Sequence, residues 1–212
     1  MAKLKTSFVC SSCGYSSPKW SGQCPSCREW NTMTEEIETK NSSSPSASIR
    51  SKNFTNVSPV SDINTSDELR YNTGIGEFDR VLGGGLVKGS VVLLSGDPGI
   101  GKSTLLMQAC GTLSSDKMVL YVSGEESAKQ LKLRAERLGV NSDRLLIMTE
   151  TDVETVSEYI KSQKPQVVMI DSIQTMNHSE IQSSPGSVTQ VRECTNLLLR
   201  TGKSLDIPII IV

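Results

Sequence analysis

The chain has 212 residues, a formal net charge of −1 and only 4% aromatic residues, enough for one core of ordinary size and a small appendage. The charge balance excludes a global basic field, so any polyanion site has to be a local patch. The apolar runs are too short to cross a bilayer, and the opening MAKLKTSFVC has no signal-type apolar stretch, which points to a soluble cytoplasmic protein without membrane contact.

Residues 1–39 read as a small metal-held module. Four of the six cysteines fall there as two Cys-x2-Cys knuckles, Cys10/Cys13 and Cys24/Cys27, with ten residues between them. In a cytosolic chain such clustering points to metal before disulfides. Four thiolates suit tetrahedral Zn²⁺, and a module this small needs such a staple to fold. Iron in a rubredoxin-like site is the minor alternative. Cys110 and Cys194 are scattered and expected to stay free. Between the knuckles lie Tyr15, Lys19 and Trp20. A cation beside an exposed aromatic can stack on single-stranded bases, which makes Lys19 and Trp20 candidate DNA contacts, but the commoner role for such a tryptophan is to cap a tiny core. Residues 40–66 are rich in Ser, Thr and Asn and poor in large apolar residues, so they read as a flexible linker.

From residue 67 to 212 the pattern changes to apolar runs: VVLLS at 91–95, MVLYVS at 118–123, LLIM at 145–148, VVMID at 167–171 and PIIIV at 208–212. Amphipathic segments lie between them. Leu105, Leu106, Ala109, Cys110 and Leu113 share one helical face, as do Ala128, Leu131, Ala135 and Leu138, and Gly139 sits where the second helix should be capped. Continuously apolar strands alternating with helices predict a mostly parallel α/β sheet. The chain stops inside its last apolar run. That reads as the N-terminal fragment of something longer, with 208–212 left as an unpaired, association-prone edge.

Gly96, Asp97, Pro98, Gly99, Ile100, Gly101, Lys102 and Ser103 fit G-x-x-x-x-G-K-S/T at every fixed position, with Thr104 following. The glycines let backbone N–H groups turn inward around a phosphate, and the helix that follows aims its positive end at the same anion. Lys102 is placed to reach the β- and γ-phosphates and the Ser103 hydroxyl to ligate Mg²⁺. A strand before and a helix after separate this loop from an ordinary glycine-rich turn. Asp171, ending VVMID, is the candidate second acid for the metal. Glu125 and Glu126 follow the strand at 118–123. Neighbouring strand ends lie side by side in a parallel sheet, so Glu125 is chosen to orient the attacking water, with Glu126 left as a helix N-terminal residue favoured by the dipole.

CSSCGYSSPKWSGQCPSCREWNT, then YNTGIGEFDRVLGGGLVKGSVVLLSGDPGIGKSTLL, then LYVSGEES and MIDSIQTM together resemble the bacterial RadA (Sms) family of RecA-like DNA repair and recombination proteins. The resemblance covers all of the chain except the linker. It implies a RecA-like P-loop NTPase core behind a four-cysteine zinc module. It further implies a hexameric ring on single-stranded or branched DNA, ATP-driven branch migration alongside a recombinase, and the catalytic glutamate at Glu125. It also makes residues 177–193 the counterpart of a DNA-facing loop, in which Gln190 and Arg192 could meet a phosphate backbone. Arg192 on a solvated helix face is the competing expectation, and His178 is given no role. The family continues with a Lys-Asn-Arg-Phe-Gly motif and a Lon-protease-like domain, absent from these residues, so impaired turnover is expected of the chain as it stands. A nucleotide-gated switch and a KaiC-like kinase are the alternatives. Glu125 argues for hydrolysis over the first, and the zinc module argues against the second.

Overall fold

The computed structural model describes residues 5–38, 59–62 and 70–212. The expected linker at 40–66 lies outside them except for 59–62, where Val60–Asp62 makes one turn of 3-10 helix. Among the described residues no helix is long and apolar enough to cross a membrane.

The first sheet is small and antiparallel: β1 (Lys5–Cys10) lies between β2 (Ser16–Ser17) and β3 (Met33–Glu38). Its core is Cys10, Cys24 and Met33 with Phe8 packed against them. That is too little apolar surface to offset chain entropy without a staple.

A second antiparallel pair, β4 (Arg70–Tyr71) with β5 (Leu86–Val87), frames helix α1 (Gly76–Val81). Asp79 of α1 is buried, and its Oδ1 accepts from the Thr73 N–H at 2.9 Å and the Thr73 hydroxyl at 2.8 Å. This tie locks the entry to the helix.

The main sheet has five strands: β6 (Val91–Leu93), β7 (Val119–Ser123), β8 (Leu145–Thr149), β9 (Val167–Asp171) and β10 (Ile209–Ile211). Their order is β6-β10-β9-β7-β8, and every pairing is parallel. Four helices cover it: α2 (Lys102–Leu113), α3 (Ala128–Arg137), α4 (Val153–Gln163) and α5 (Val188–Leu205). Alternation along the strands divides the core. Val119, Tyr121, Val167 and Met169 pack with Leu106, Met107 and Cys110 of α2 and Leu131 of α3. Leu120, Val122, Val168 and Ile170 pack with Val156 and Ile160 of α4 and Cys194 and Leu198 of α5. Burial on both faces is why these strands read as unbroken apolar runs.

Two expectations are corrected by this topology. The run 208–212 is not an unpaired edge: β10 hydrogen-bonds β6 on one side and β9 on the other, and among the described residues the outermost strands are β6 and β8. The long loop expected at 177–193 is also shorter. Ser187 caps a helix by accepting from the Gln190 N–H, and α5 begins at Val188, so 188–193 are helical. On α2, Leu105 is only partly buried while Met107, outside the expected stripe, is fully buried.

Helix ends follow their sequences. Ser127 and Gln130 form a reciprocal capping box on α3, which satisfies two otherwise orphan N–H groups. Asp152 caps α4, accepting from the Glu154 and Thr155 N–H groups. Gly139 follows the last turn of α3 at φ +70°, the left-handed position that glycine fills without strain.

Candidate active site and candidate metal centre

The loop 96–101 leaves β6 and enters α2 through Gly101, which serves as the N-cap at φ +105° with no side-chain capping bond. A side chain at that φ would be strained, and a capping side chain would compete for the N–H groups that an anion uses. Asp97, Pro98, Gly99 and Ile100 are exposed, while Ser103 and Thr104 sit half-buried in the first helical turn. The Lys102 ammonium donates to the carbonyls of Gly96 at 2.8 Å and Asp97 at 3.0 Å. The cation therefore lies folded across the mouth of its own loop.

At the carboxyl end of β7 the Ser123 hydroxyl accepts from the N–H groups of Glu125 and Glu126 at 3.4 and 3.2 Å, which bends the chain at Gly124. A Cβ at Gly124 would overlap the Thr175 side chain and the Thr151 methyl. The two glutamates then part. Glu126 is paired with Arg134 of α3 at 2.6 Å, both side chains mostly buried, and Arg134 Nη1 is a buried nitrogen without a partner. The exposed Glu125 turns to the next strand, where its Oε1 accepts from the Ser172 hydroxyl at 2.7 Å.

Asp171 ends β9 directly opposite Ser123 and is 7% exposed. Its Oδ2 accepts from the hydroxyl of Tyr121, a fully buried residue of β7. Burial first, and then the neighbouring Asp171 charge, push the Tyr121 hydroxyl far above the ordinary tyrosine range. The peptide bond between Asp171 and Ser172 is cis. A polar cleft of ≈ 270 Å³ opens beside these groups, lined by Ser123–Ser127 and Thr149–Thr151. A larger hollow of ≈ 460 Å³ lies among Gly111, Ser114, Ser115 and residues 141–144 at the far end of α2, remote from the phosphate loop. The carboxyl ends of β6, β7 and β9 thus bring the loop with Lys102, Glu125 and Asp171 to one end of a parallel sheet. Tyr121, Ser172 and Arg134 were missed in the sequence. The first is hidden in an apolar run, and the other two have partners far along the chain or one helix away.

The segment that follows Asp171 is folded by Gln190. Its side chain is 2% exposed. Its Oε1 accepts from the His178 N–H at 2.8 Å, and its Nε2 donates to the carbonyls of Ile181 at 3.0 Å and Ser183 at 2.9 Å. The expected DNA contact at Gln190 is therefore corrected: the amide is buried and engaged with the loop backbone, not presented outward. Arg192 is exposed on α5 and pairs with Glu193 at 2.9 Å, the arrangement of a solvated helix face. His178 Nδ1 lies 3.9 Å from Glu154.

In the small module the four thiols of Cys10, Cys13, Cys24 and Cys27 lie within 4.8 Å of one another. Sγ separations are 3.6 Å for Cys10–Cys27 and for Cys13–Cys24. These are far too long for disulfides and close to the ~3.8 Å edge of a tetrahedron built on a Zn–S distance of about 2.3 Å. Cys110 and Cys194 are buried in the other core, where burial pushes both thiols up, Cys194 to about 11. Trp20 does not cap the small core: it is 60% exposed, Trp30 is 70% exposed, and both rings flank Gly22, beside an exposed Lys19.

The family described as KaiC, an ATPase, matches residues 71–151, and a rubredoxin metal binding domain family matches residues 8–35. The whole chain is similar to DNA repair protein RadA of Bacillus subtilis (strain 168), 54% identical over 215 residues, and of Listeria monocytogenes serovar 1/2a, 52% identical over 212. The RadA protein of Aquifex aeolicus is 46% identical over 212 residues. Each alignment takes in 100% of this chain and 46–47% of the relative, so the chain spans about half the length of the curated relatives it matches.

Proposed function

Because this chain belongs to the RadA family of RecA-like ATPases, we propose that it binds ATP on residues 96–104 and hydrolyses it in a DNA-dependent step of recombinational repair that drives branch migration. The observation that supports this most directly is the convergence of Lys102, Glu125 and Asp171 at one end of the parallel sheet. Lys102, released from the Gly96 and Asp97 carbonyls, is the cation for the β- and γ-phosphates. The Ser103 hydroxyl and Asp171 hold Mg²⁺, which supplies charge neutralisation on the phosphates when bound. Glu125 orients the attacking water. Glu126 is unsuited to that work because Arg134 holds it.

Cys10, Cys13, Cys24 and Cys27 hold one Zn²⁺ that folds the N-terminal module. Arg192, Lys19 and Trp20 remain candidate DNA contacts on the grounds of exposure. For the whole protein the partners are single-stranded or branched DNA, a recombinase, and further copies of the chain in a hexameric ring, in the cytoplasm.

The test is ATP turnover by the full-length protein with and without single-stranded DNA. Turnover that rises with DNA is expected. Turnover indifferent to DNA sinks the motor, and nucleotide binding without turnover leaves only a switch.

A further inference from the structure

The two acids of the site are each held by a hydroxyl from the opposite strand. On β7, Tyr121 is buried, and its ring lies two residues below the level of Asp171, opposite Met169. Ring volume alone is equally served by phenylalanine. The tyrosine oxygen adds one hydrogen bond, to Asp171 Oδ2, and among the described residues no other donor reaches that carboxylate. Just beyond β9, Ser172 returns the bond, because its hydroxyl donates to Glu125 Oε1 at 2.7 Å. Ser172 is itself fixed. It is 8% exposed, and its carbonyl accepts from the Thr175 hydroxyl at 2.8 Å. The same Thr175 side chain packs against the Cα of Gly124, so the turn that carries Glu125 and the turn that carries Ser172 are braced against each other.

We propose that Tyr121 and Ser172 are positioning residues that set the two carboxylates as a pair: Tyr121 orients Asp171 toward the metal, and Ser172 orients Glu125 toward the water. This deepens the proposed ATPase function and rests on it. With Oδ2 engaged by Tyr121, Oδ1 is the oxygen left for the metal's hydration shell. An exposed glutamate without the Ser172 bond samples many rotamers, and few of them suit a water in line with a phosphate. Each hydroxyl therefore acts on one acid, and the two roles are separable by experiment.

The measurement is binding of a fluorescent methylanthraniloyl-ADP to the full-length protein, titrated in EDTA and in Mg²⁺, alongside ATP turnover. In Tyr121→Phe the affinity in EDTA is expected to match the parent, while the gain in affinity conferred by Mg²⁺ shrinks about tenfold, the scale of one hydrogen bond to a charged group. Adding Tyr121→Phe to Asp171→Asn is expected to change that gain no further, because the hydroxyl acts through the carboxylate. In Ser172→Ala the Mg²⁺ gain is expected to stay parental while kcat falls and the KM for ATP holds, and Ser172→Thr is expected to restore kcat. A parental Mg²⁺ gain in Tyr121→Phe overturns the first role, and so does an additive effect in the double variant. A Tyr121→Phe chain that does not fold assigns the hydroxyl to sheet stability and overturns it equally. Parental turnover in Ser172→Ala overturns the second role. A parent whose nucleotide binding is indifferent to Mg²⁺ overturns the ATPase function itself, before any variant is compared.

Discussion

Lys102, Glu125 and Glu126 carry one charge each, yet the structure gives them three different situations. Among the described residues Lys102 has only carbonyl dipoles to leave, those of Gly96 and Asp97, so an incoming phosphate would compete with weak partners. Lys102→Ala is expected to abolish both nucleotide binding and turnover. Glu125→Gln keeps the shape and loses the charge proposed to orient water, so binding is expected to persist while turnover falls roughly a hundredfold or more. Equilibrium binding and single-turnover hydrolysis measured on the same variants separate these outcomes, and retained turnover in Glu125→Gln would remove that residue from the chemistry. Glu126→Gln is expected to spare turnover and instead to destabilise the fold. It leaves the Arg134 guanidinium, already short of a partner at Nη1, without its counter-charge, at a cost of about 1–3 kcal/mol readable by urea unfolding.

At the scale of elements, caps and staples hold what propensity does not. Asp152 begins α4 by accepting from the Glu154 N–H at 3.2 Å and the Thr155 hydroxyl at 2.7 Å. The Thr155 hydroxyl first, and then the backbone N–H groups of Glu154 and Thr155, hold its carboxyl below the ordinary aspartate value of 3.8. A carboxyl depressed in the folded chain stabilises the fold above its unfolded value and loses that contribution as pH falls through its folded value. Asp152→Ala is therefore expected to cost about 1 kcal/mol near pH 7, and the difference from the parent should close below roughly pH 4. Paired thermal unfolding curves across that range test it, and a pH-independent difference would show that the loss is not one of charge-assisted capping. Gln190 does comparable work at the other end of the site, since one buried amide organises His178, Ile181 and Ser183. The loop it shapes follows directly from the strand that ends in Asp171.

For the whole molecule, the three-stranded and five-stranded sheets share no strand, and they rest on different physics. The five-stranded sheet is held by apolar burial on both faces. Among the described residues the core cluster of the small module is Cys10, Cys24 and Met33, and the module depends on its four thiols meeting at one point. One Zn²⁺ per chain is expected by metal analysis, falling to near zero in Cys10→Ser and unchanged in Cys110→Ser and Cys194→Ser. Chelation is expected to change the tryptophan emission, which comes from Trp20 and Trp30, both in the module, while the α/β circular dichroism persists, because metal binding and folding are coupled only where the ligands are. Full metal content in Cys10→Ser, or a red iron chromophore in the parent, would displace this assignment.

Whatever depends on near neighbours could be read from the order of amino acids alone. The knuckles at Cys10/Cys13 and Cys24/Cys27, the glycine-containing loop that opens α2, the run 167–171 that became β9, and Gly139 after α3 were all legible. Turn geometry, ligand spacing and double-faced burial each leave a local signature. Folding alone settled which distant parts of the chain meet. It placed β10 inside the sheet between β6 and β9, turned Gln190 inward, and gave Glu126 to Arg134 and Glu125 to Ser172. Tyr121 and Asp171 are 50 residues apart, and Glu125 and Ser172 are 47 apart. Parallel strands must be joined by crossovers. Which hydroxyl meets which carboxylate was therefore fixed by strand order and register, neither of which is written in any short stretch of the chain.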